Sequence, residues 1–149
     1  MHIRPTARLL VTDPAGRVLL FRVAHQGGAL DGMVYWATPG GGVEAGESVA
    51  QGALRELYEE TGIVAADAGA LVARRSQVFM IDSGESVCDD EHYYHVRVAG
   101  GAVSDSGWTD AERRCMTAHR WWSKLDLAHT TETIWPQDLS RLLDQVGIA

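Results

Sequence analysis

The chain breaks into short apolar runs separated by glycine, proline and acidic residues, and the period of each run predicts its element. Residues 7–12 form a compact apolar stretch that stops at Asp13-Pro14-Ala15-Gly16, and residues 17–23 resume it. Asp, Pro and Gly each favour turn geometry, so the pair predicts a β-hairpin. Residues 25–32 hold three glycines and read as a loop. Residues 33–38 read as a third strand, which Pro39 ends ahead of Gly40-Gly41-Gly42. Residues 48–61 carry a helical period; Glu47 or Ser48 can cap the start, and Gly62 suits the stop. Residues 70–81 are apolar and β-branched enough for a strand, 82–90 read as an acidic loop, and 91–98 alternate as a strand. Residues 100–114 read as a polar loop, 118–123 as a short strand, and 138–146 as a closing amphipathic helix with Pro136 near its start. Strands interspersed with a few helices predict an α/β fold, a sheet covered by helices.

Composition narrows the classes. The 149 residues, 46% of them hydrophobic, suit one domain over residues 1–149 with a sizeable core, and no repeat or linker divides them. No apolar run approaches membrane-spanning length, and the first residues lack the order of a signal peptide, so no membrane partner is expected. Cys88 and Cys115 form neither a metal spacing nor a disulfide framework, and a cytoplasmic location is the expectation. A net charge of −7 suits a small-molecule partner and argues against a nucleic-acid polymer, which is held through a basic surface.

The helix at 48–61 carries the chemistry. On a wheel of about 100° per residue, Ala50, Ala53, Leu54, Leu57 and Thr61 share one face, which must pack on the sheet. Glu56, Glu59 and Glu60 form an adjacent stripe on its rim. They repel one another and sit in the last turns, where the helix dipole disfavours negative charge by roughly 0.3–1 kcal/mol each. Arg55 can pair with Glu59 but cannot neutralise three acids. A solvated acidic face is one account; a site for a hard divalent cation such as Mg²⁺ is the other. The glycine run just upstream favours the second, because it lets backbone pass close to a ligand and turn carbonyls to a metal or amides to a phosphate.

Gly41, Glu47, Arg55-Glu56-Leu57, Glu59-Glu60, Gly62 and Ile63 stand at every spacing of the Nudix box, and residues 41–63 resemble that family throughout. From average residue frequencies, a chance match in a chain this long is on the order of one in ten million. The resemblance extends outward through WATPGGGVEAGES, HRWWSKLDL and IWPQDL. It implies the Nudix fold: an α/β/α sandwich with a mixed central sheet and a loop–helix–loop catalytic motif. It further implies that Glu56, Glu59 and Glu60, with the Gly41 carbonyl, bind Mg²⁺ or Mn²⁺, and that Glu47 and Arg55 brace the motif. The implied reaction is attack of water on a phosphorus of a diphosphate linkage in a nucleoside di- or triphosphate or a nucleoside diphosphate derivative. Glu56 is the first choice of general base and Glu59 the next. A homodimer is a common assembly in the family. The alternative is a nucleotide sensor on the same scaffold that binds without turnover.

Further residues carry weaker readings. Some family members recruit a late-loop Glu as ligand or base; Glu112 fits that role, or is an exposed acid with none, and Glu91 is a similar case. Arg22, Gly40 and Gly41 could meet the substrate phosphates; Arg74-Arg75 and Arg113-Arg114 read as solvated pairs. His92 and His95 differ by three on a strand and so face opposite ways. The five tryptophans read as packing, with Trp36 or Trp108 nearest to a base-stacking position. Residues 76–80, SQVFM, match neither the ADP-sugar nor the dinucleoside-polyphosphate pattern, so the substrate stays open.

Overall fold

The computed structural model describes residues 1–149. Eight strands form one sheet: β1 (His2–Thr12), β2 (Val18–Ala24), β3 (Val34–Ala37), β4 (Gly40–Gly42), β5 (Leu71–Met80), β6 (Ser86–Arg97), β7 (Met116–Trp122) and β8 (Ile134–Trp135). The helices are α1 (Val49–Thr61), α2 (Asp110–Cys115), α3 (Lys124–His129) and α4 (Leu139–Gln145). The main path runs β5-β6-β1-β2-β3-β8, while β4 pairs with β1 and β7 with β2. β1 is parallel to β6 and antiparallel to β2 and β4, so the sheet is mixed and β1 is its hub.

Alternation along the strands separates two cores. Ala7, Leu9, Val11, Leu19 and Phe21 turn to one face and pack with Ala53 and Leu57 of α1. Leu10, Val18, Leu20, Trp36 and Tyr93 turn to the other and pack with Leu139, Leu142 and Leu143 of α4. The result is the expected α/β/α sandwich. Each fully buried leucine contributes about 1.5–3 kcal/mol, which is what clamps α1 against β1. Ser48 caps α1: its side chain accepts from the Gln51 amide while the Gln51 side chain accepts from the Ser48 amide. Gly62 stops the helix in a left-handed conformation, φ 76°.

Several elements differ from the sequence expectation. β1 begins at His2, before the apolar run, because residues 2–6 find a parallel partner in 87–91. Residues 86–90 are strand rather than acidic loop, since the two aspartates there have arginine partners, Arg4 for Asp89 and Arg74 for Asp90. Residues 110–115 of the expected polar loop are α2, and α3 follows β7; each begins with a capping box, Thr109 with Glu112 and Ser123 with Asp126. Gly40–Gly42 is strand because it pairs with Thr6–Arg8. No helix is long and apolar enough to cross a membrane.

Candidate active site

The glycine run is a seat for α1. At Gly40, φ is 143°, and an added Cβ would stand 2.1 Å from the Ala7 carbonyl oxygen. At Gly41 an added Cβ would stand 2.6 Å from Glu56 Oε1. Only hydrogen in place of a side chain lets β4 lie against β1 on one side and the acids of α1 on the other. The Gly40 amide donates to Glu60 Oε1 at 2.7 Å, so this amide serves the helix and is not free for a substrate phosphate.

Glu60 is 4% exposed, deeper than the rim position the helical wheel gives it. Burial pushes its carboxyl well above the usual carboxylate range, and the neighbouring Glu56 charge pushes it further; the Gly40 amide opposes both. Glu56 is raised too, first by burial, against the pull of Arg55.

Arg55 ties the motif together. Its Nη2 donates to Glu47 Oε1 at 2.7 Å and to the Gly42 carbonyl at 2.9 Å. Its Nη1 donates to Glu56 at 3.0 Å and to Glu59 at 3.1 Å. The hydrogen bonds to Arg55 hold Glu47 below the usual carboxylate range, and those to Glu47 hold Arg55 above the usual arginine range. Glu47 and Arg55 therefore occupy bracing positions between the glycine run and the helix. Arg55→Ala leaves Glu47, Glu56 and Glu59 without this partner. It is expected to cost roughly 3 kcal/mol, the low end for a buried pair because Arg55 keeps some contact with water; denaturant unfolding would measure it.

Glu112 comes from the first turn of α2. One of its oxygens accepts from the Thr109 amide at 2.9 Å, closing the capping box. The structure brings Glu56, Glu60 and Glu112 together, with a ligand oxygen of each within 4.8 Å of the others. Glu59 lies beside this group on Arg55, its side chain 38% exposed. The loop carrying α2 is pinned to α1: Trp108 Nε1 donates to the Glu60 carbonyl at 2.8 Å, and its indole meets Phe21 edge-on at 5.8 Å. The sequence signal for this arrangement was the Thr109–Glu112 capping spacing, which fixes where Glu112 starts a helix.

The other residues singled out stand elsewhere. Arg22 alternates with Leu20 onto the α4 face, away from α1, and donates to Thr117 Oγ1 at 2.9 Å. Arg74 is paired with Asp90, Arg75 with Asp138 and Arg113 with Asp105. His92 contacts the Asp90 carbonyl and His95 the Thr12 hydroxyl. Trp36 packs edge-on against Trp122 in the core.

Three converging carboxylates, one buried and held by no arginine hydrogen bond, form a donor set that suits a hard divalent cation. The NUDIX domain family model matches residues 2–143. The chain belongs to the Nudix family. Among Nudix relatives, RNA pyrophosphohydrolase of Brucella ovis is 47% identical over 62 residues, 40% of this chain and 35% of that protein. The chain thus spans about a third of the length of the curated relatives it matches. The solution structure of the Escherichia coli ORF135 protein aligns at 26% identity and TM-score 0.64, covering 98% of this chain and 89% of that one. The Nudix domain of Shewanella oneidensis NrtR, solved with ADP ribose, aligns at 19% identity and TM-score 0.62, covering 98% and 86%. That last likeness concerns the fold.

Proposed function

We propose that this Nudix domain hydrolyses a diphosphate linkage in a nucleoside di- or triphosphate or a nucleoside diphosphate derivative, by water attack at phosphorus. The convergence of Glu56, Glu60 and Glu112 carries the proposal. These three would hold Mg²⁺ or Mn²⁺, with the Gly41 backbone beside Glu56, and Glu59 stands next to them on Arg55. A bound divalent ion supplies a more acidic water and neutralises phosphate charge.

The chain's own groups do the rest. The first choice for taking a proton from water, ahead of Glu59, is Glu56, half-buried beside Glu60 and at the Gly41 backbone. Arg55 keeps that carboxylate oriented through Nη1. Glu112 has one oxygen held by the α2 cap, and its carboxylate places a ligand oxygen within 4.8 Å of those of Glu56 and Glu60.

The test is a panel of nucleoside triphosphates and diphosphate-linked nucleosides, with released phosphate and pyrophosphate measured in Mg²⁺, Mn²⁺ or EDTA. Metal-dependent release from at least one compound is expected. Glu112→Gln, which keeps the capping acceptor and removes the charge, is expected to lower kcat roughly 10²-fold. Tight nucleotide binding with no turnover in either metal would replace the hydrolase with a binding module.

A further inference from the structure

The end of α1 is finished by a distant part of the chain. The last carbonyls of a helix have no partner within it, and α1 has no basic side chain in its last turn to serve them. The Gly62 amide takes the Tyr58 carbonyl at 2.8 Å, and residues 104–108 take those that follow. The Ser104 amide donates to the Thr61 carbonyl at 2.9 Å, and the Trp108 indole donates to the Glu60 carbonyl at 2.8 Å. Between them Gly107 lies directly on Glu59: an added Cβ would stand 2.6 Å from its carbonyl oxygen and 3.1 Å from its Cα. Gly107 is not among the positive-φ glycines, so close approach and not backbone conformation requires glycine there. The segment thus sits on the main chain of the acid-bearing turn.

This seat is joined stiffly to Glu112. The Trp108 amide donates to the Asp105 carbonyl at 3.0 Å, and Arg113 reaches back from α2 to the same carbonyl at 2.8 Å. Thr109 follows Trp108 at once and caps α2, whose first turn carries Glu112. Glu56 and Glu60 lie on α1 itself, whereas Glu112 stands where the seat puts it. The hold is light. No residue of α2 is buried, and Val103, Trp108 and Cys115 pack only partly against the core. Charge opposes it: docking brings the Glu112 carboxylate within 4.8 Å of those of Glu56 and Glu60, and neither Glu60 nor Glu112 has a hydrogen bond from arginine. Like charges so close repel, and a divalent cation among them reverses the sign.

We propose that Gly107 and Trp108 are positioning residues for the metal site: they seat residues 104–115 on α1, and docking of that segment and binding of a divalent cation are one coupled event. Neither residue touches the ion. The coupling is reciprocal, so whatever loosens the seat weakens the ion and the ion tightens the seat. This rests on the metal site proposed above and is independent of which nucleotide is hydrolysed.

The test is Mn²⁺ titration of the full chain without nucleotide, with free Mn²⁺ counted by electron paramagnetic resonance and amide hydrogen exchange followed in residues 104–115. Mn²⁺ should slow exchange across that segment in the wild type. Gly107→Ala should lower Mn²⁺ affinity about tenfold or more and abolish the slowing. Trp108→Phe, which keeps a ring against Phe21 and loses only the indole N–H, should lower affinity several-fold. Glu112→Gln should weaken Mn²⁺ as well, and Gly107→Ala added to it should cost little more, because the seat acts through Glu112. A lower thermal midpoint in EDTA with unchanged Mn²⁺ affinity would reduce Gly107 to a structural role and overturn the proposal. Additive losses in the double variant, or exchange in 104–115 that ignores Mn²⁺, would overturn it too. Hydrolysis with Mn²⁺ affinity untouched by Gly107→Ala would remove the seat and leave the hydrolase. Coupled Mn²⁺ binding with no hydrolysis of any nucleotide would do the reverse, and a wild type that binds no Mn²⁺ would sink both.

Discussion

Glu60→Gln is expected to silence the protein and, in chelator, to make it more stable. Glu60 is almost fully buried beside Glu56, with the Gly40 amide as its hydrogen-bond donor. Glutamine keeps an acceptor oxygen for that amide and removes the charge that burial penalises. Because the folded carboxyl titrates well above its unfolded value of about 4.3, the native state binds more protons than the unfolded one between those two values. Stability of the metal-free protein therefore falls as pH rises through that window, and the loss is complete above the folded value. The substitution should flatten this part of the pH–stability profile. Metal should invert the order. A divalent ion at a hundredfold excess over its Kd stabilises the wild type by about 2.7 kcal/mol, and the variant should lose most of that gain. Loss of a ligand to the catalytic metal is worth several kcal/mol at the transition state, roughly 10³-fold in kcat. Thermal melts across pH with and without Mg²⁺, together with phosphate release, would show all three effects. A variant as active as the wild type would remove Glu60 from the site.

Gly40→Ala is expected to be the most damaging single methyl in the chain. Its φ of 143° lies in a region L-residues rarely adopt, and the new Cβ would stand 2.1 Å from Ala7 O, 2.9 Å from Arg8 Cα and 3.0 Å from Ala7 C. These are backbone atoms of the central strand and cannot swing aside. Relief requires β4 to leave β1, which withdraws the amide from Glu60 and loosens the seat of α1. A destabilisation of roughly 3–5 kcal/mol follows, with loss of activity that added metal does not restore. Gly46→Ala is the control: it too has positive φ, 84°, but nothing lies within 4 Å of an added Cβ, so only the local strain of about 1–2 kcal/mol remains. Denaturant midpoints for the two would separate collision from conformation.

The sequence made the acid helix legible because its signals are local. Ser48 and Gly62 mark its ends by their own chemistry, and the apolar period fixes the face that packs. The sandwich was legible for the same reason, since strand alternation sorts residues such as Leu9 and Leu10 to opposite faces. What escaped depends on partners far along the chain. Asp89 and Asp90 look like loop residues until Arg4 and Arg74 stand opposite them. Glu60 reads as a rim acid because the wheel cannot know that β4 folds over it. Glu112 was a candidate by family resemblance, but its convergence with Glu56 and Glu60 requires Trp108 to anchor the loop on α1. Arg22 looked available at a strand end; alternation turns it to the opposite face, where Thr117 takes its Nη1.

The place of β1 has a consequence for how the chain acquires its shape over time. β1 is first in sequence, yet its parallel neighbour begins to pair at Val87, opposite His2. The hub strand closes its antiparallel side early, on β2 and β4, but its parallel side waits for distant chain. Closing so long a loop costs entropy before any pairing rewards it, and folding that depends on such contacts is slow. α1 can nucleate locally with its capped start and dock on β1 and β4, which precede it, but that core is not closed until Tyr94 and Val96 of β6 arrive. During synthesis the acid helix should thus spend an interval docked on a half-built sheet, with part of its apolar face still open. In that interval the nascent chain is most exposed to aggregation and most in need of a holding chaperone.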